Sequence, residues 1–443
     1  MPINVRQVLS HIPSARLRPL GVSLLVLVVA GVLLSDPVAA DRTRLAAAAV
    51  AAVAAPAAAP GAGQHRFTQI TTDAQFRAGI SEGVRIANGS LTFAAPRGRL
   101  TYAGKSWAWS RWSSWWVQPR QPFSELLPTW NIVTPPKTLV QVQARVRNAA
   151  GGTSSWKLMG SWTTRDDGVR RTSGAAQQDA VARVATDTLV SRSGSLSSYQ
   201  VRVLALRRPS STATPTVRSI QAVASRPVAT LQSTSRRLLP ARTLNVPRYS
   251  QMTHRGQYPQ YGGGGQAWCS PTSLSMLLGY YRALPSASSY SWVNKRYAEP
   301  WVDHVARVVY DNGYRGAGNW AFNAAYAANL TTDAFVTRLT DLRDAERFIA
   351  AGIPLAASIT FSSGQLSGAP IGATAGHLVV IAGFTADGDV VVNDPAAPAN
   401  SSVRRVYGRG QFERAWLRRS SGTVYVVRDA RHPLPARGTN LNW

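Results

Sequence analysis

The only cysteine of this chain, Cys269, lies in the stretch GGGGQAWCSPTSLSMLLGYY (residues 262–281). A cysteine becomes a nucleophile when its thiol is deprotonated, when an imidazole lies beside it, and when a third group holds that imidazole in the useful tautomer. His377 and Asp394 follow Cys269 along the chain, in the segments GHLVVIAGF and VVVNDPAAP. This set of residues predicts acyl transfer by a Cys–His–Asp triad.

The residues after Cys269 predict a helix that begins at the thiol. Ser270 can cap a helix, and Pro271 suits its first turn. Apolar residues then recur at i, i+3, i+4 and i+7, which indicates one buried helix face: Leu274, Leu277, Leu278 and Tyr281. We expect the helix dipole and the unpaired N–H groups to lower the pKa of the Cys269 thiol. The glycines before Cys269 allow positive φ and close approach, and they lack the Gly-Lys-Ser/Thr of a phosphate loop.

His377 and Asp394 are predicted to lie on a hairpin. The segments HLVVIAGF and DVVVN indicate two strands joined by a turn at Asp387–Gly388. A tight turn there would place Asp394 opposite Ile381, four residues along the strand from His377. A hydrogen bond between His377 and Asp394 therefore requires a bulge, a wider loop or strong coiling of the sheet. Asn393 is the alternative orienting residue.

The oxyanion donor and the base each have competing candidates. Acyl transfer needs donors for the developing oxyanion, and the backbone N–H of Cys269 is one of them. Gln251 and Gln266 both precede the cysteine: Gln266 is close in sequence, whereas Gln251 has a loop long enough to fold back. His304 competes with His377 as the base, but its context, WVDHVARVVY, favours packing or a solvated helix face.

The net charge and the distribution of His and Cys limit the classes of ligand. Lys and Arg total 49 against 21 acidic residues, which gives a formal net charge of +28. Such a surface attracts polyanions such as nucleic acid, anionic lipid or acidic wall polymers. We find no nucleic-acid motif, so we expect no specific nucleic-acid site. The single Cys and the scattered His residues indicate no metal site, and we expect no cofactor.

Residues 1–40 have the features of a signal peptide. A basic start precedes an apolar run, Leu20–Leu34, and small residues follow it at Val38–Ala40. The run is short for a membrane span, so we expect secretion without stable membrane insertion after cleavage, with an uncleaved anchor as the alternative. Residues 41–64 are an Ala/Pro-rich linker. In an exported chain a lone cysteine has no intrachain disulfide partner, so Cys269 is a working thiol, an intermolecular bridge or a small core residue.

Residues 65–225 are predicted to form an all-β sandwich. TLVQVQARVR (Thr138–Arg147) alternates apolar and polar residues, as a half-exposed strand does. SWKLMGSW extends it as a hairpin, and SYQVRVLALR and TVRSIQAVAS indicate further strands. Six tryptophans lie between Trp107 and Trp130. They form either core or an aromatic surface for peptide, polysaccharide or an acidic wall polymer.

The rest of the chain is predicted to be a polar linker (226–245), an α+β domain (246–431) and a C-terminal tail (432–443). Periodicity places helices first and an antiparallel sheet afterwards. The predicted helices are 270–283, 301–312 and 342–351, and the predicted strands are 354–361, 377–384, 389–393 and 423–428.

Four segments of this α+β domain resemble papain-like cysteine peptidases related to the bacteriocin-processing, double-glycine-leader family: VPRYSQM, WCSPTSLSMLLGY, GHLVVIAGF and VVVNDPAAP. GAGNWAFNAAYA and the Trp-rich sandwich fit the exported actinobacterial form. The resemblance implies that Cys269 is the nucleophile, His377 the general base and acid, and Asp394 its orienter, with Gln251 in the oxyanion hole. One departure is Ser270, where the broader family commonly has glycine.

The expected protein is multidomain, with an N-terminal all-β sandwich and a C-terminal α+β papain-like cysteine peptidase domain. It is expected to be a secreted or wall-associated cysteine peptidase acting on peptide or protein through an acyl-enzyme. The alternatives are a non-catalytic peptide- or wall-binding surface protein and a peptidoglycan amidase or endopeptidase.

Overall fold

The computed structural model describes residues 64–165, 169–174, 176–227, 233–437 and 441–443. The predicted signal peptide (1–40) and the predicted linker 41–64, apart from its last residue, lie outside the described residues. Within the described ranges, no helix is both long and apolar enough to cross a membrane.

The N-terminal domain consists of two antiparallel sheets, which confirms the mostly-β prediction. Its elements are β1 (Gln64–Ile70), α1 (Asp73–Arg77), β2 (Ile80–Glu82), β3 (Val84–Ala87), β4 (Ser90–Phe93), β5 (Gly98–Tyr102), β6 (Lys105–Ser113), β7 (Glu125–Val133), β8 (Thr138–Asn148), β9 (Lys157–Trp162), β10 (Ala182–Ala185), β11 (Thr188–Ser191), β12 (Leu196–Arg207) and β13 (Thr216–Arg226). One sheet has the order β10-β11-β7-β13-β4-β3, with β1 also on β13. The other has the order β2-β6-β12-β8-β9, with β5 on β6.

The alternation in β8 explains how the two sheets face each other. Val142, Ala144 and Val146 are fully buried, whereas Arg145 and Arg147 on the other face are half-buried. β8 pairs with β9 as the predicted hairpin and with β12 along its length. β13 lies in the opposite sheet, beside β7. Burial of one face of each sheet creates the core between them.

The C-terminal domain contains one seven-stranded antiparallel sheet and most of the helices. Its elements are β14 (Arg242–Thr243), α2 (Cys269–Tyr280), α3 (Pro300–Val309), α4 (Trp320–Ala327), β15 (Asp333–Arg338), α5 (Leu342–Ala350), β16 (Leu355–Phe361), β17 (Thr374–Phe384), β18 (Val390–Asn393), β19 (Arg404–Tyr407), α6 (Arg409–Ser420) and β20 (Thr423–Arg428). The strand order is β15-β20-β16-β17-β18-β19, with β14 on β17. α2 packs on β16 and β17, and also on α3 and α4.

The order of elements in this domain differs from the prediction of helices followed by a sheet. β15 lies between α4 and α5, and α6 lies between β19 and β20. α6 buries Phe412, Ala415 and Trp416, at i, i+3 and i+4, and packs on β16. The sequence of α6 therefore has the apolar spacing of a helix, although its many arginines make that spacing hard to recognise.

The two domains share an apolar interface. Phe322 of α4 packs against Trp162 and Trp130 of the N-terminal domain, with ring centroids 5.4 and 6.1 Å apart. Gly160 makes room for this ring, because a Cβ there would lie 2.8 Å from Phe322 Cε1. These two tryptophans are fully buried, so they belong to the interface and not to a ligand surface.

The C-terminal residues join the same interface. The backbone N–H of Phe67 in β1 donates to the carbonyl oxygen of Leu441 at 2.8 Å. Trp443 is fully buried, and its ring centroid lies 4.9 Å from that of Phe348. The described part of the segment 226–245 lies on the C-terminal domain. The N–H groups of Leu238 and Leu239 both donate to Oε2 of Glu346, in α5, at 2.7 Å.

We expect the two domains to unfold together. Phe322→Ala removes a fully buried ring from their interface and should lower the free energy of unfolding by about 3–5 kcal/mol. Calorimetry should show one endotherm that moves as a whole. The control is Ile80→Ala, at a 65% exposed position, which should change stability by less than about 0.5 kcal/mol. Two separate endotherms, of which Phe322→Ala moves only one, would contradict the shared interface.

Candidate active site

Cys269 is the first residue of α2, as the sequence predicts. Ser270 does not cap the helix: the N-cap residue is Trp268, and no side chain caps this end. The helix is also buried on all sides, because every residue from Ser270 to Leu278 is buried. α2 is therefore a central helix of the domain. Cys269, its first residue, is half-buried, so this end of the helix lies near the surface.

His377 and Asp394 form a buried pair beside this thiol. The Nε2 of His377 lies 2.7 Å from Asp394 Oδ1, and the two residues are 3% and 1% exposed. The sulfur of Cys269 is hydrogen-bonded to the His377 ring and to the backbone N–H groups of Ser270 and Leu378. Because Nε2 donates to the carboxylate, Nδ1 is the ring nitrogen that remains for Cys269.

A wider loop and a bulge in β17 bring His377 and Asp394 together. Phe384 pairs with Val390, so the loop is longer than a two-residue turn, and the register then shifts by one residue at Ala382. Each change moves the partner of Asp394 by one position, from Ile381 to Val379. Side chains two residues apart on a strand lie on one face, and such diagonal neighbours are within reach of each other.

Asp394 receives two further hydrogen bonds. The Tyr407 hydroxyl donates to Oδ2 at 2.6 Å, and the Ala396 N–H donates to Oδ1 at 3.0 Å. Burial alone would raise the pKa of Asp394, but the charge and hydrogen bond of His377, with these donors, hold it below its usual value. The carboxylate therefore stays ionised.

The same contacts shift the pKa values of His377 and Cys269 in opposite directions. Burial opposes charge on His377, yet Asp394 and Cys269 raise its pKa above the ordinary value. Burial would raise the pKa of the Cys269 thiol, but the hydrogen bond and charge of His377 outweigh it and lower that pKa. Both shifts favour a thiolate–imidazolium pair.

The two glutamine candidates occupy different positions. Gln251 is 5% exposed; its N–H donates to the carbonyl oxygen of Pro395, next to Asp394, at 2.8 Å, and its Nε2 donates to the carbonyl oxygen of Gln266 at 2.7 Å. Gln266 is exposed, and its side chain is bonded to Gly256 and Gly263. Gln251 thus lies between the turn that carries Asp394 and the loop before Cys269. The side chain of Gln266 instead contacts the backbone around residues 262–265, named here the glycine loop.

The glycine loop packs against the segment that carries Gln251. Gly262, Gly263 and Gly264 have φ angles of 86°, 104° and 93°, which disfavour other residues. A Cβ on Gly265 would lie 2.2 Å from the backbone carbonyl of His254, in the short helix Gln251–His254. The glycines therefore let the chain pass close to Gln251 just before the thiol.

The remaining sequence candidates lie outside the Cys–His–Asp contacts. Asn393 is buried, and its Nδ2 donates to the carbonyl oxygen of Pro247 at 2.9 Å, so it anchors the opening segment of the domain. His304 accepts a hydrogen bond from Trp292 Nε1 at 3.4 Å. Ser270 is 1% exposed, and its hydroxyl lies 2.8 Å from that of Tyr425, so its side chain faces the core.

A second buried charge cluster lies behind the glycine loop, and the sequence analysis missed it. His254 Nδ1 lies 3.0 Å from Asp303 Oδ2, and its Nε2 lies 3.6 Å from Glu299 Oε2. The His254 ring packs on Trp268, with centroids 6.2 Å apart. Burial would lower the pKa of His254, but the two carboxylates raise it to about 9. No local motif signals this cluster, because its members come from two separate segments.

Comparison with protein families finds a match for each of the two domains. Residues 66–225 match the model described as the peptidase C39 N-terminal domain, and residues 243–424 match the peptidase C39-like family. Both matches are to domains of peptidase C39 families, which confirms the predicted resemblance. A search of curated proteins finds no match.

We expect Tyr407→Phe to weaken the charged state of Asp394. The change removes a fully buried donor to Oδ2, so it should lower the free energy of unfolding by about 1–3 kcal/mol. Asp394 should then be protonated at higher pH. The acid limb of Cys269 alkylation, measured against pH, should move upward. The control is Tyr297→Phe, at a half-buried tyrosine whose ring packs on Tyr258 with centroids 5.9 Å apart. An unchanged acid limb in Tyr407→Phe would contradict the assignment.

The raised pKa of His254 predicts a second effect of pH, on the stability of the folded chain. Its folded pKa of about 9 exceeds its ordinary value of 6.5. The protonated His254 therefore stabilises the folded state fully below about pH 6.5, and this stabilisation is lost as the pH rises through 9. The free energy of unfolding should fall by about 3 kcal/mol over that range. Urea unfolding between pH 6 and 10 measures it. In His254→Gln this slope should disappear; an equal slope in the variant and the wild type would assign it to other groups.

Proposed function

We propose that this chain is a papain-like cysteine peptidase that hydrolyses peptide or amide bonds through an acyl-enzyme. The observation that carries the proposal is the contact series from Cys269 through His377 to Asp394. The family match of residues 243–424 supports a peptidase. The nucleophile at the start of α2 and the base on the adjacent strand β17 support the papain-like α+β arrangement.

The proposed reaction begins with proton transfer from the Cys269 thiol to Nδ1 of His377. The thiolate attacks the carbonyl carbon of the substrate, and a C–S bond forms. His377 then donates its proton to the leaving amine as the C–N bond breaks. A water molecule, deprotonated by His377, hydrolyses the thioester and restores the thiol. Asp394 holds the ring in one tautomer and stabilises the imidazolium throughout.

The oxyanion would be stabilised by the backbone N–H of Cys269 and by Gln251. An amide nitrogen carries two N–H groups, and Nε2 of Gln251 uses one for the carbonyl oxygen of Gln266. The second N–H is the proposed donor to the oxyanion. The short helix and the glycine loop hold the Gln251 side chain before substrate arrives, as preorganised stabilisation requires.

The proposed substrate is a peptide or protein outside the cell. Secretion rests on the signal-like features of residues 1–40. The net charge of +28 favours acidic partners on or near the cell wall. The proposed mechanism needs no cofactor, because it uses side chains and a backbone N–H of this chain together with water.

The test compares the wild type with His377→Ala, using a thiol-directed acylating probe at neutral pH and a peptide library read by mass spectrometry. His377→Ala should slow labelling of Cys269 and peptide cleavage by at least about 100-fold, because general base catalysis contributes that much. Cys269→Ala should abolish both. His304→Ala is the matched control and should leave both rates unchanged.

Each other outcome has a defined meaning. Equal labelling of the wild type and His377→Ala contradicts the proposed base. Rapid labelling without cleavage of any peptide favours a binding protein over a peptidase. Release of stem peptides from purified peptidoglycan, in place of protein cleavage, identifies an amidase or endopeptidase with the same chemistry.

A further inference from the structure

The segment Asp311–Asn319 (DNGYRGAGN), named here the tyrosine loop, is organised by one buried carboxylate. Asp311 is 0% exposed. Its Oδ1 accepts hydrogen bonds from the N–H groups of Gly313 and Tyr314, at 2.9 and 3.3 Å. Its Oδ2 accepts Asn319 Nδ2 at 2.8 Å. A buried charge satisfied by the backbone of its own loop fixes the shape of that loop.

The N-terminal domain holds the tyrosine loop at its start. The N–H of Ser173 donates to the same Asp311 Oδ1 at 2.8 Å. Asn312 donates twice to the carbonyl oxygen of Arg171, through its backbone N–H at 3.0 Å and its Nδ2 at 2.9 Å. The contact is close: a Cβ on Gly313 would lie 2.7 Å from Thr172 Oγ1 and 2.8 Å from the carbonyl oxygen of Ser173.

The N-terminal domain also holds the end of the loop. Asp187, in the turn between β10 and β11, accepts the N–H of Trp320 at 2.8 Å, where α4 begins. Burial raises the pKa of Asp187 to about 6. Both ends of the tyrosine loop are therefore attached to residues of the other domain.

Tyr314 lies at the centre of this loop, and Gly316 connects its ring to the glycine loop that precedes Cys269. Its ring covers Gly316, where a Cβ would lie 2.7 Å from Tyr314 Cε1. Gly316 in turn touches the glycine loop, because a Cβ on Gly262 would lie 3.2 Å from the Cα of Gly316. Burial and the charges of Cys269, Asp187 and Asp311 raise the pKa of Tyr314.

Tyr314 is nevertheless 50% exposed, which makes it one of the few large apolar side chains at the described surface. A ring that packs on Gly316 and stays half-exposed offers aromatic surface beside the loop that leads to the thiol. Aromatic faces bind aromatic and aliphatic side chains. We propose that Tyr314 forms one wall of the substrate groove and selects a bulky apolar residue of the substrate, and that the N-terminal domain positions it. The proposal rests on the proposed peptidase function.

The test measures occupancy of the groove separately from catalysis. A set of hexapeptides, in which Phe replaces one Ala after another, competes with iodoacetamide for Cys269. Protection is scored against each variant's own unprotected rate. In the wild type, Phe at one position should improve protection, and Tyr314→Ala should reduce that preference by roughly tenfold or more. Tyr314→Phe should keep it, because the ring remains.

Gly313→Ala tests the role of the N-terminal domain, because it displaces the loop from Thr172 and Ser173 without changing Tyr314. It should reduce the same preference, whereas Gly372→Ala, where a Cβ meets nothing within 4 Å, should not. An unchanged preference in Tyr314→Ala would overturn the proposal, and an unchanged preference in Gly313→Ala would overturn the positioning step. Cleavage of the same peptides is measured in parallel: selective protection without cleavage would refute the peptidase function and leave the groove wall supported.

Discussion

The candidate site depends on one buried carboxylate. Asp394 is 1% exposed, and an ionised group in that position is stable only if donors surround it. They come from three places: the ring of His377 on β17, the hydroxyl of Tyr407 on β19 and the N–H of Ala396 in the turn after β18. These contacts join three strands around one carboxylate, and they orient the His377 ring that lies beside Cys269.

Sequence patterns single out Cys269, His377 and Asp394 as candidates, but they do not predict how His377 and Asp394 come into contact. A lone cysteine before a helical period and a histidine at the start of an apolar strand are local signals. The alignment of His377 with Asp394 depends on the bulge at Ala382, whose carbonyl oxygen accepts the N–H of Leu244 at 2.8 Å. Leu244 lies far away in the sequence, so no local pattern reports the bulge.

The same distinction applies to the tryptophans. From composition, a Trp-rich sandwich fits either a core or a ligand surface. Trp130 and Trp162 are buried because Phe322, from a helix of the other domain, packs on them. α4 itself was missed because WAFNAAYA is apolar on nearly every side, so it lacks the amphipathic period of a surface helix. A helix enclosed by two domains needs no polar face.

These contacts change the role that the N-terminal domain can have. An accessory module on a free linker would act only by bringing the enzyme near a target. Here the N–H of Ser173 and the carboxylate of Asp187 satisfy groups at both ends of the loop that carries Tyr314. Loss of the domain would leave Asp311 without one of its donors and the N–H of Trp320 without its acceptor, and buried polar groups without partners destabilise the structure around them. The position of Tyr314 therefore depends on contacts with the sandwich as well as on the C-terminal domain that carries its loop.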